Sequence, residues 1–242
     1  MKIFRLLSLL LVVLLASCLN KKKSADTGMP GNESRYVVLA YVTSWGISTP
    51  ETSCLTHINY AFGHVADDNK GIRIDNEPRL QMIVGLKKEK PSLKVLLSVG
   101  GWGSSRFSEM AANDSTRTAF AADCRRVIDK FGLDGIDIDW EYPGSGTAGI
   151  SFSSADKENF TLLMRDVRQA VGKDKLLTIA TAATGRYYDF RAIEPYVDYV
   201  NIMAYDMEEA PFHHAALHCS DMTEEWSCEK AVAGHIACGV PV

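Results

Sequence analysis

The stretch that decides the fold is Leu133-Asp134-Gly135-Ile136-Asp137-Ile138-Asp139-Trp140-Glu141-Tyr142-Pro143. Successive side chains of a β-strand point to opposite faces. Asp137, Asp139 and Glu141 therefore share one face, spaced about 6–7 Å apart per two-residue step. The residues of opposite parity are apolar and predict contact with a layer of helices: Ile136, Ile138 and Trp140. We predict a buried strand that carries a row of acids.

This row of carboxyl groups predicts acid–base chemistry. Burying carboxylates is costly, so a strand with a purely structural role would carry Val or Leu at those positions. Crowded like charges separate their pKa values, which keeps at least one carboxyl protonated near neutral pH. Glu141 lies at the carboxyl end of the strand, where barrel active sites form, and we expect it to donate a proton. Asp139 and Asp137 would tune it. A solvated edge strand or a calcium site is the alternative, which the apolar alternate positions disfavour.

Apolar runs and helical patterns alternate outward from this stretch. Near-continuous apolar runs are typical of parallel strands buried on both faces, and repeated strand–helix units predict a parallel sheet. The predicted strands are 36–42, 55–62, 93–99, 135–141, 176–182 and 197–205. The predicted helices are 77–89, 115–131, 156–171 and 225–237. A closed barrel of eight strands needs ~250 residues, so this pattern allows either a six-strand α/β arrangement or an interrupted barrel.

Three segments carry a resemblance to one family. Residues 134–141 resemble the Asp-x-x-Asp-x-Asp-x-Glu signature of glycoside hydrolase family 18, the chitinases and endo-β-N-acetylglucosaminidases. Residues 98–101, Ser-Val-Gly-Gly, are similar to the Ser-x-Gly-Gly of the family's third strand. Residues 203–206, Met-Ala-Tyr-Asp, resemble the Met-x-Tyr-Asp of its sixth strand. The motifs occur in order on the expected strands, and the resemblance extends over residues 36–242.

The resemblance implies an α/β fold of the TIM (β/α)8 type. About six βα units are present and strands seven and eight are missing, so we expect residues 36–242 to be a C-terminally truncated catalytic domain. The family's later strands supply a Trp that forms the floor of the catalytic subsite. The tryptophans of this chain, Trp45, Trp102, Trp140 and Trp226, all come too early for that place. We therefore expect the activity of this chain alone to be in question.

The resemblance also implies a substrate-assisted, retaining mechanism without a protein nucleophile. The 2-acetamido oxygen of the bound sugar attacks the anomeric carbon. Glu141 protonates the leaving oxygen and then activates water. Asp139 orients the acetamido group, Asp137 hydrogen-bonds to Asp139, and the Tyr205 hydroxyl binds the acetamido carbonyl. Met203 and Asp206 line the same subsite, and the remaining motif residues have structural roles: Asp134, Ser98 and Gly100.

Aromatic side chains near strand ends are candidate substrate contacts, because sugar rings have apolar faces that stack on them. The candidates are Trp102, Tyr41, Phe62 and Tyr142. Ordinary core filling is the alternative for Tyr41 and Phe62. Gly101, like Gly100, would allow a close backbone approach at the end of its strand.

The first residues predict the compartment. Residues 1–17 combine a basic start, an apolar run and small residues, as a secretory signal does. Residues 15–18, Leu-Ala-Ser-Cys, resemble a bacterial lipobox, which implies acylation of Cys18, with an ordinary cleaved signal as the alternative. Residues 18–35 are polar and read as a flexible tether. We expect a protein held by lipid on a membrane of the bacterial cell envelope.

Charge and cysteine content narrow the partners. The net charge is -4, so the chain has no basic field for nucleic acid. We expect no metal, because the three nearby histidines, His213, His214 and His218, are more typical of a loop between strand and helix than of a metal site. We also expect no cofactor. Five cysteines remain after Cys18. Cys219 and Cys228 are the most plausible disulfide in an oxidising compartment, and free thiols are the favoured alternative.

The sequence predicts a glycoside hydrolase that cleaves β-1,4 linkages in N-acetylglucosamine-containing glycans, such as chitin or chitooligosaccharides. Release of N-glycans by an endo-β-N-acetylglucosaminidase is a second enzymatic hypothesis, and residues 139–143 look more like a chitinase. A lectin-like carbohydrate-binding protein, or an inactive fragment, is the non-catalytic alternative. Glu141 argues against the lectin, because lectin-like relatives typically lose that residue.

Overall fold

The structure is a computed structural model that describes residues 36–223 and 225–241. The predicted signal 1–17, Cys18 and the tether 18–35 lie outside the described residues. The strands are β1 (Leu39–Thr43), β2 (His57–Val65), β3 (Ile72–Ile74), β4 (Lys94–Gly100), β5 (Gly135–Asp139), β6 (Leu176–Ala182) and β7 (Tyr199–Met203). The helices are α1 (Glu77–Gly85), α2 (Phe107–Ala112), α3 (Asp114–Phe131), α4 (Asp156–Val171), α5 (Phe190–Ile193) and α6 (Cys228–Ala237), and a 3-10 turn, Leu86–Lys88, follows α1. None of the described helices is both long enough and apolar enough to span a membrane.

Six of the strands form one parallel sheet in the order β1-β2-β4-β5-β6-β7, and β3 pairs antiparallel with β2. The sheet curls strongly. The rings of His57 on β2 and Tyr199 on β7 meet edge to face, with their centroids 5.9 Å apart. The resulting half-barrel confirms the prediction of an α/β fold of the TIM type that is incomplete.

The two faces of β5 separate as the sequence predicts. Ile136, Ile138 and Trp140 are buried on the outer face, against the helices. The Trp140 ring stacks on Phe107 of α2 with centroids 5.3 Å apart, and it lies 6.1 Å from the ring of Phe160 on α4. This apolar layer holds β5 in place, and the carboxylates are left to the inside of the curl.

The structure differs from the predicted elements at several ends. β5 ends at Asp139, so Glu141 lies just beyond the strand. α6 begins at Cys228 because the Ser227 side chain accepts a hydrogen bond from the Lys230 N–H at 3.2 Å and caps the helix. β3, α2 and α5 were not predicted, because elements of three to six residues are too short to show a periodic pattern.

Candidate active site

A cavity of 660 Å³ opens at the carboxyl ends of β4 to β7. Parallel strands of a barrel end at one edge, which is where (β/α)8 enzymes assemble their active sites. The lining residues are Trp102, Glu141, Tyr142, Ala182, Ala183, Thr184, Met203, Tyr205, Asp206, Met207, Glu225 and Trp226. The cavity therefore combines three carboxyl groups, aromatic rings and hydroxyl groups.

Of the three acids on one face of residues 137–141, Glu141 is the one that lines this cavity. Its side chain is buried but not sealed, since the residue is 8% exposed and lies in the cavity wall. Burial raises the pKa of the Glu141 carboxyl above its ordinary value, and a hydrogen bond with Tyr142 acts in the opposite direction. A raised pKa keeps a carboxylic acid protonated at a higher pH, as a general acid requires.

Asp139 lies deeper and is nearly buried. Burial raises the pKa of its carboxyl well above the ordinary value, and the charges of Glu141 and Asp137 raise it further. Its Oδ1 atom has no hydrogen-bond partner among the described residues. Asp139 therefore combines a strong preference for the protonated form with a polar atom that a substrate could satisfy.

Asp137 is completely buried and is held by donors from four other strands. The hydroxyl groups and the amide lie 2.6–3.1 Å from its two carboxyl oxygens. The donors are Tyr41 of β1, Ser98 of β4, Thr178 of β6 and Asn201 of β7. Burial raises the pKa of Asp137, and these hydrogen bonds lower it. The network fixes Asp137 at the centre of the curl.

Tyr41, a predicted substrate contact, lies in the network around Asp137. Its hydroxyl donates to Asp137 Oδ2 at 2.9 Å, and Tyr41 is not among the described residues that line the 660 Å³ cavity. Burial raises the pKa of Tyr41, and the charges of Asp137 and Asp139 raise it further. The hydroxyl therefore keeps its proton and stays a donor to Asp137.

Gly100 and Gly101 bring the end of β4 against β5. Their φ angles are +130° and +94°, which side chains other than glycine rarely adopt. A Cβ on Gly100 would collide with the carbonyl oxygen of Asp139, and the Gly101 N–H donates to that same oxygen at 2.9 Å. A Cβ on Gly101 would lie 2.8 Å from the Phe62 ring. Phe62 therefore packs under Gly101, and neither residue lines the cavity among those described.

Asp134 has the opposite parity on β5 and lies at the other end of the strand. Its Oδ2 accepts from the Lys87 Nζ at 2.6 Å and from the Val95 N–H at 2.8 Å. These contacts join the start of β5 to β4 and to the turn after α1. Asp134 is remote from the cavity and links elements of the fold.

Three aromatic rings form one wall. Trp102 is 63% exposed and meets Tyr142 edge to face, with centroids 6.4 Å apart. The Tyr142 ring stacks on Tyr187, with centroids 4.6 Å apart and an interplanar angle of 7°. Tyr187 follows β6 and was not predicted as a site residue. Its ring fixes the plane of Tyr142 beside Glu141.

Tyr205 and Asp206 form the opposite wall, after β7. Burial raises the pKa of Tyr205 to about 12, with smaller effects from the charges of Asp139 and Glu141. The phenol therefore keeps its proton. Asp206 adopts a positive φ of 50°, and its Oδ1 lies 3.3 Å from the His214 Nδ1. Met203, also predicted, lines the cavity between them.

Several lining residues escaped the sequence prediction. Trp226 precedes α6 in sequence, yet its side chain lines the cavity beside Met207 and Glu225. Thr184 lies on the loop after β6. No sequence motif marks these residues. The sequence analysis placed Trp226 inside the predicted helix 225–237, whereas the helix begins at Cys228.

The described residues hold no group of three or more His, Cys, Asp or Glu side chains that could bind a metal. The cysteines at 54, 124, 219, 228 and 238 have free thiols. The Cys219 thiol lies 3.4 Å from the Ser227 hydroxyl, and the Cys228 thiol lies 3.7 Å from the Ala204 carbonyl. Cys219 and Cys228 are therefore free thiols in this structure and do not form a disulfide.

The arrangement can transfer one proton to a bound substrate and take it back. Glu141 is the acid at the cavity surface, Asp139 is a second acid behind it, and Asp137 anchors that row. Tyr205 adds a neutral hydroxyl donor on the opposite wall. Among the described residues that line the cavity, none is a lysine or an arginine.

Comparison with known proteins agrees with this geometry. Residues 37–242 match the model of the glycosyl hydrolases family 18. Chitinase A1 of Niallia circulans is 29% identical and covers 99% of this chain. The chitinase domain of the spore coat protein CotE from Clostridium difficile is 34% identical, with a TM-score of 0.81 over 89% of this chain and 65% of that one. A family 18 N-acetylglucosaminidase from Paenibacillus barengoltzii is 38% identical, with a TM-score of 0.78 over 85% of this chain and 66% of that one.

The matched region is part of a longer protein in the curated relatives. The chain spans 45% of the length of Chitinase A1 and 45% of "Probable chitinase 2" of Drosophila melanogaster, which is 33% identical.

Proposed function

The chain belongs to glycosyl hydrolase family 18, and we propose that it hydrolyses β-1,4 linkages of N-acetylglucosamine-containing glycans such as chitin and chitooligosaccharides. The observation that carries this proposal is Glu141: an acid with a raised pKa in the wall of a 660 Å³ cavity, behind which Asp139 holds an unpartnered carboxyl oxygen.

The proposed reaction begins with the substrate's own acetamido oxygen. That oxygen attacks the anomeric carbon, the bond from this carbon to the glycosidic oxygen breaks, and the leaving oxygen takes the proton of Glu141. Water then attacks the anomeric carbon of the oxazolinium ion, the bond from this carbon to the acetamido oxygen breaks, and the Glu141 carboxylate takes a proton from the water. The two displacements give net retention of configuration.

Asp139 is proposed to orient the acetamido group. A buried carboxyl oxygen without a partner costs about 1–3 kcal/mol, which an acetamido N–H would recover by donating to it. Asp139 Oδ1 is such an atom. Donation from the Tyr205 hydroxyl to the acetamido carbonyl would hold the group from the other side. These two contacts select a 2-acetamido sugar over a sugar with a free 2-hydroxyl.

Aromatic rings are proposed to hold the sugars on either side of the reacting bond. Trp102 is exposed and lies at one wall, and Trp226 lies near the other. Pyranose rings have apolar faces that pack on such surfaces. An uncharged polysaccharide is thereby bound without the cationic groups that an anionic substrate would need.

Product analysis tests this proposal. The full chain is incubated with chitotetraose, chitohexaose and a high-mannose glycoprotein, and the products are followed by reducing-end assay and by NMR of the anomeric protons. We expect cleavage of the chitooligosaccharides with the β-anomer formed first. Release of glycan from the glycoprotein, with the oligosaccharides untouched, would replace the proposal with the endo-β-N-acetylglucosaminidase alternative. Binding without any product would favour the lectin.

A second product pattern has a specific observation behind it. The Paenibacillus barengoltzii relative, 38% identical, is an N-acetylglucosaminidase by its description. Release of single N-acetylglucosamine units is therefore the second candidate for this chain. It predicts monosaccharide as the first product of chitotetraose, whereas a chitobiose-forming enzyme gives disaccharide.

We also propose that the protein is held on a membrane of the bacterial cell envelope through acylated Cys18. The support is the sequence of residues 15–18, which lie outside the described residues. Metabolic labelling with an alkyne fatty acid tests it. Label on the wild-type chain and none on Cys18→Ala is the expected result, and an unlabelled wild-type chain would contradict the proposal.

A further inference from the structure

The loop that carries Trp102 has little support of its own. It runs from Gly101 at the end of β4 to Arg106 before α2. Within the described chain its backbone makes three hydrogen bonds outside regular helices and strands. The Gly101 N–H donates to the Asp139 carbonyl at 2.9 Å, the Ser104 N–H donates to the Gly101 carbonyl at 3.0 Å, and the Arg106 carbonyl accepts from the Met110 N–H of α2 at 3.0 Å. Trp102 itself is 63% exposed. The position of this wall therefore depends on what holds Ser104.

Ser104 is held by a hydrogen-bond chain from the hairpin β2–β3. Its Oγ lies 2.9 Å from the Nδ1 of His64, and the His64 Nε2 lies 2.9 Å from Asp75 Oδ2. The His64 side chain is 24% exposed, so water competes less than at an open surface. A neutral imidazole has one donor and one acceptor. Donation from His64 to Asp75 leaves Nδ1 to accept from Ser104, and both ends are satisfied.

The hairpin is held internally and by the body of the domain. Within it, the Tyr60 hydroxyl of β2 lies 3.0 Å from the carbonyls of Asp75 and Asn76, directly after β3. The Ile72 N–H of β3 donates to Asp123 Oδ2 of α3 at 2.8 Å. These contacts involve buried or half-buried groups, so the hairpin is a firm support rather than a free flap.

A second contact between the hairpin and the loop is weaker. The Arg106 guanidinium lies 3.4 Å from Asp67 Oδ1, and Asp67 is almost fully exposed. Exposed ion pairs contribute little in water. Phe62 of β2 also packs under Gly101, at the start of the loop. His64 is therefore the main hydrogen-bond link from the hairpin to the middle of the loop, at Ser104.

We propose that the hairpin β2–β3 is a brace for the Trp102 wall of the cavity and that His64 is its positioning residue. His64 fixes Ser104, Ser104 fixes the loop, and the loop presents Trp102 to the substrate. The link to substrate rests on the proposed function, whereas the brace itself does not. A catalytic triad with Ser104 as nucleophile is the alternative role for Ser104, His64 and Asp75. The orientation of the His64 ring disfavours it, because a serine hydrolase directs Nε2 towards the serine and Nδ1 towards the carboxylate, and His64 does the reverse.

The test compares four variants of the full chain. His64→Ala and Ser104→Ala break the link, and His64→Gln keeps one donor and one acceptor. Lys130→Ala is the control, because it removes a tie of similar length, between Lys130 of α3 and Glu77 of α1, that lies away from the loop. Hydrogen exchange is measured at the amides of Gly101 and Ser104, and KM and kcat are measured on chitotetraose.

We expect faster exchange at both amides in His64→Ala and Ser104→Ala, and wild-type exchange in His64→Gln and Lys130→Ala. KM should rise between about threefold and tenfold in the first two variants, the range that one hydrogen bond supports, with kcat within about twofold of wild type. The double variant His64→Ala/Ser104→Ala should be no worse than either single variant, because both lie in one chain.

Three results would overturn the brace. Unchanged amide exchange in His64→Ala would show that His64 does not hold the loop, whether or not the chain is active. Faster exchange with unchanged KM in an active enzyme denies its role in substrate binding. Labelling of Ser104 by a fluorophosphonate probe in the wild-type chain would show a nucleophile instead. A wild-type chain without activity on any glycan would count against the proposed function, and the exchange measurements would still decide the brace.

Discussion

Asp139 is buried two residues before Glu141, and burial raises the pKa of Asp139, with the negative charge of Glu141 raising it further. The two carboxyls therefore cannot both ionise easily. Asp139 favours the protonated form, and Glu141 lines the cavity with a raised pKa of its own. One shared structural cause, the position of both residues at the end of β5, supplies both properties.

The pH dependence of activity follows from Glu141. Its carboxyl must be protonated to donate, and its pKa lies above the ordinary value of 4.5. Activity should therefore persist above that pH and fall as pH rises through the raised pKa. Measurement of kcat/KM on chitotetraose against pH gives this alkaline limb. A limb centred at or below the ordinary glutamate value would contradict the assignment.

Asp139→Asn should leave that limb in place and lower the rate. The pKa of Asp139 is raised well above its ordinary value, partly by the charge of Glu141, so Asp139 is still neutral when Glu141 ionises. Asparagine is neutral as well, so the alkaline limb should stay at the wild-type pH. We expect kcat to fall by about 10²-fold or more, because the acetamido group loses its carboxyl partner. An alkaline limb that moves to lower pH would mean that Asp139 is already charged when Glu141 titrates.

The same substitution should stabilise the fold. A buried acid with a raised folded-state pKa keeps its proton in the folded state and loses it in the unfolded state above the ordinary value of 3.8. Wild-type stability should then decrease as pH rises from that value through the raised pKa. The free energy of unfolding of Asp139→Asn should lack this decrease with pH and should exceed that of the wild type by at least about 1 kcal/mol at neutral pH. Urea unfolding of both proteins from pH 4 to pH 8 measures it, and parallel curves would refute it.

The network around Asp137 should contribute to stability as well. Thr178→Val keeps the shape and deletes the hydroxyl that donates to Asp137 Oδ1 at 2.6 Å. We expect the free energy of unfolding to fall by about 1.5–3 kcal/mol, since the acceptor is a buried carboxylate. Thr118→Val is the matched control on the exposed face of α3, with an expected change within about 0.5 kcal/mol. Equal changes in the free energy of unfolding of both variants would show that the Thr178–Asp137 hydrogen bond does not stabilise the fold.

Gly100 offers a test of the strand end. Gly100→Ala places a Cβ against the Asp139 carbonyl at a φ of +130°. This substitution should lower the free energy of unfolding by at least about 2–4 kcal/mol, or prevent folding. Gly85→Ala is the control, because a Cβ there meets nothing within 4 Å on helix α1. That change should be neutral or stabilising by about 0.5–1 kcal/mol. Thermal unfolding of the two variants beside the wild-type chain measures both changes, and equal stability of Gly100→Ala and the wild type would contradict the prediction.

Local pattern was sufficient for part of this structure. The alternation in residues 133–143 predicted which side chains of β5 face the helices and which face the curl. Apolar runs located the six parallel strands to within a few residues. These features depend on side-chain period, which is written in the sequence itself.

Contacts between distant segments could not be read in that way. Thr178 and Asn201 lie in apolar runs without a motif, and they meet Asp137 only through the register of β5, β6 and β7. Tyr41 was expected at a strand end but lies in the middle of β1, and its hydroxyl reaches Asp137 because the sheet curls. Trp226 reaches the cavity through the path of the loop after β7. Each depends on tertiary geometry that no local pattern encodes.

The most direct test of Glu141 as proton donor is kcat/KM on chitotetraose for Glu141→Gln beside Glu158→Gln. The second variant makes the same chemical change on the exposed face of α4, outside the cavity. We predict that Glu141→Gln loses about 10³-fold or more with binding retained and that Glu158→Gln retains wild-type activity. Turnover by Glu141→Gln at the wild-type rate would contradict the account.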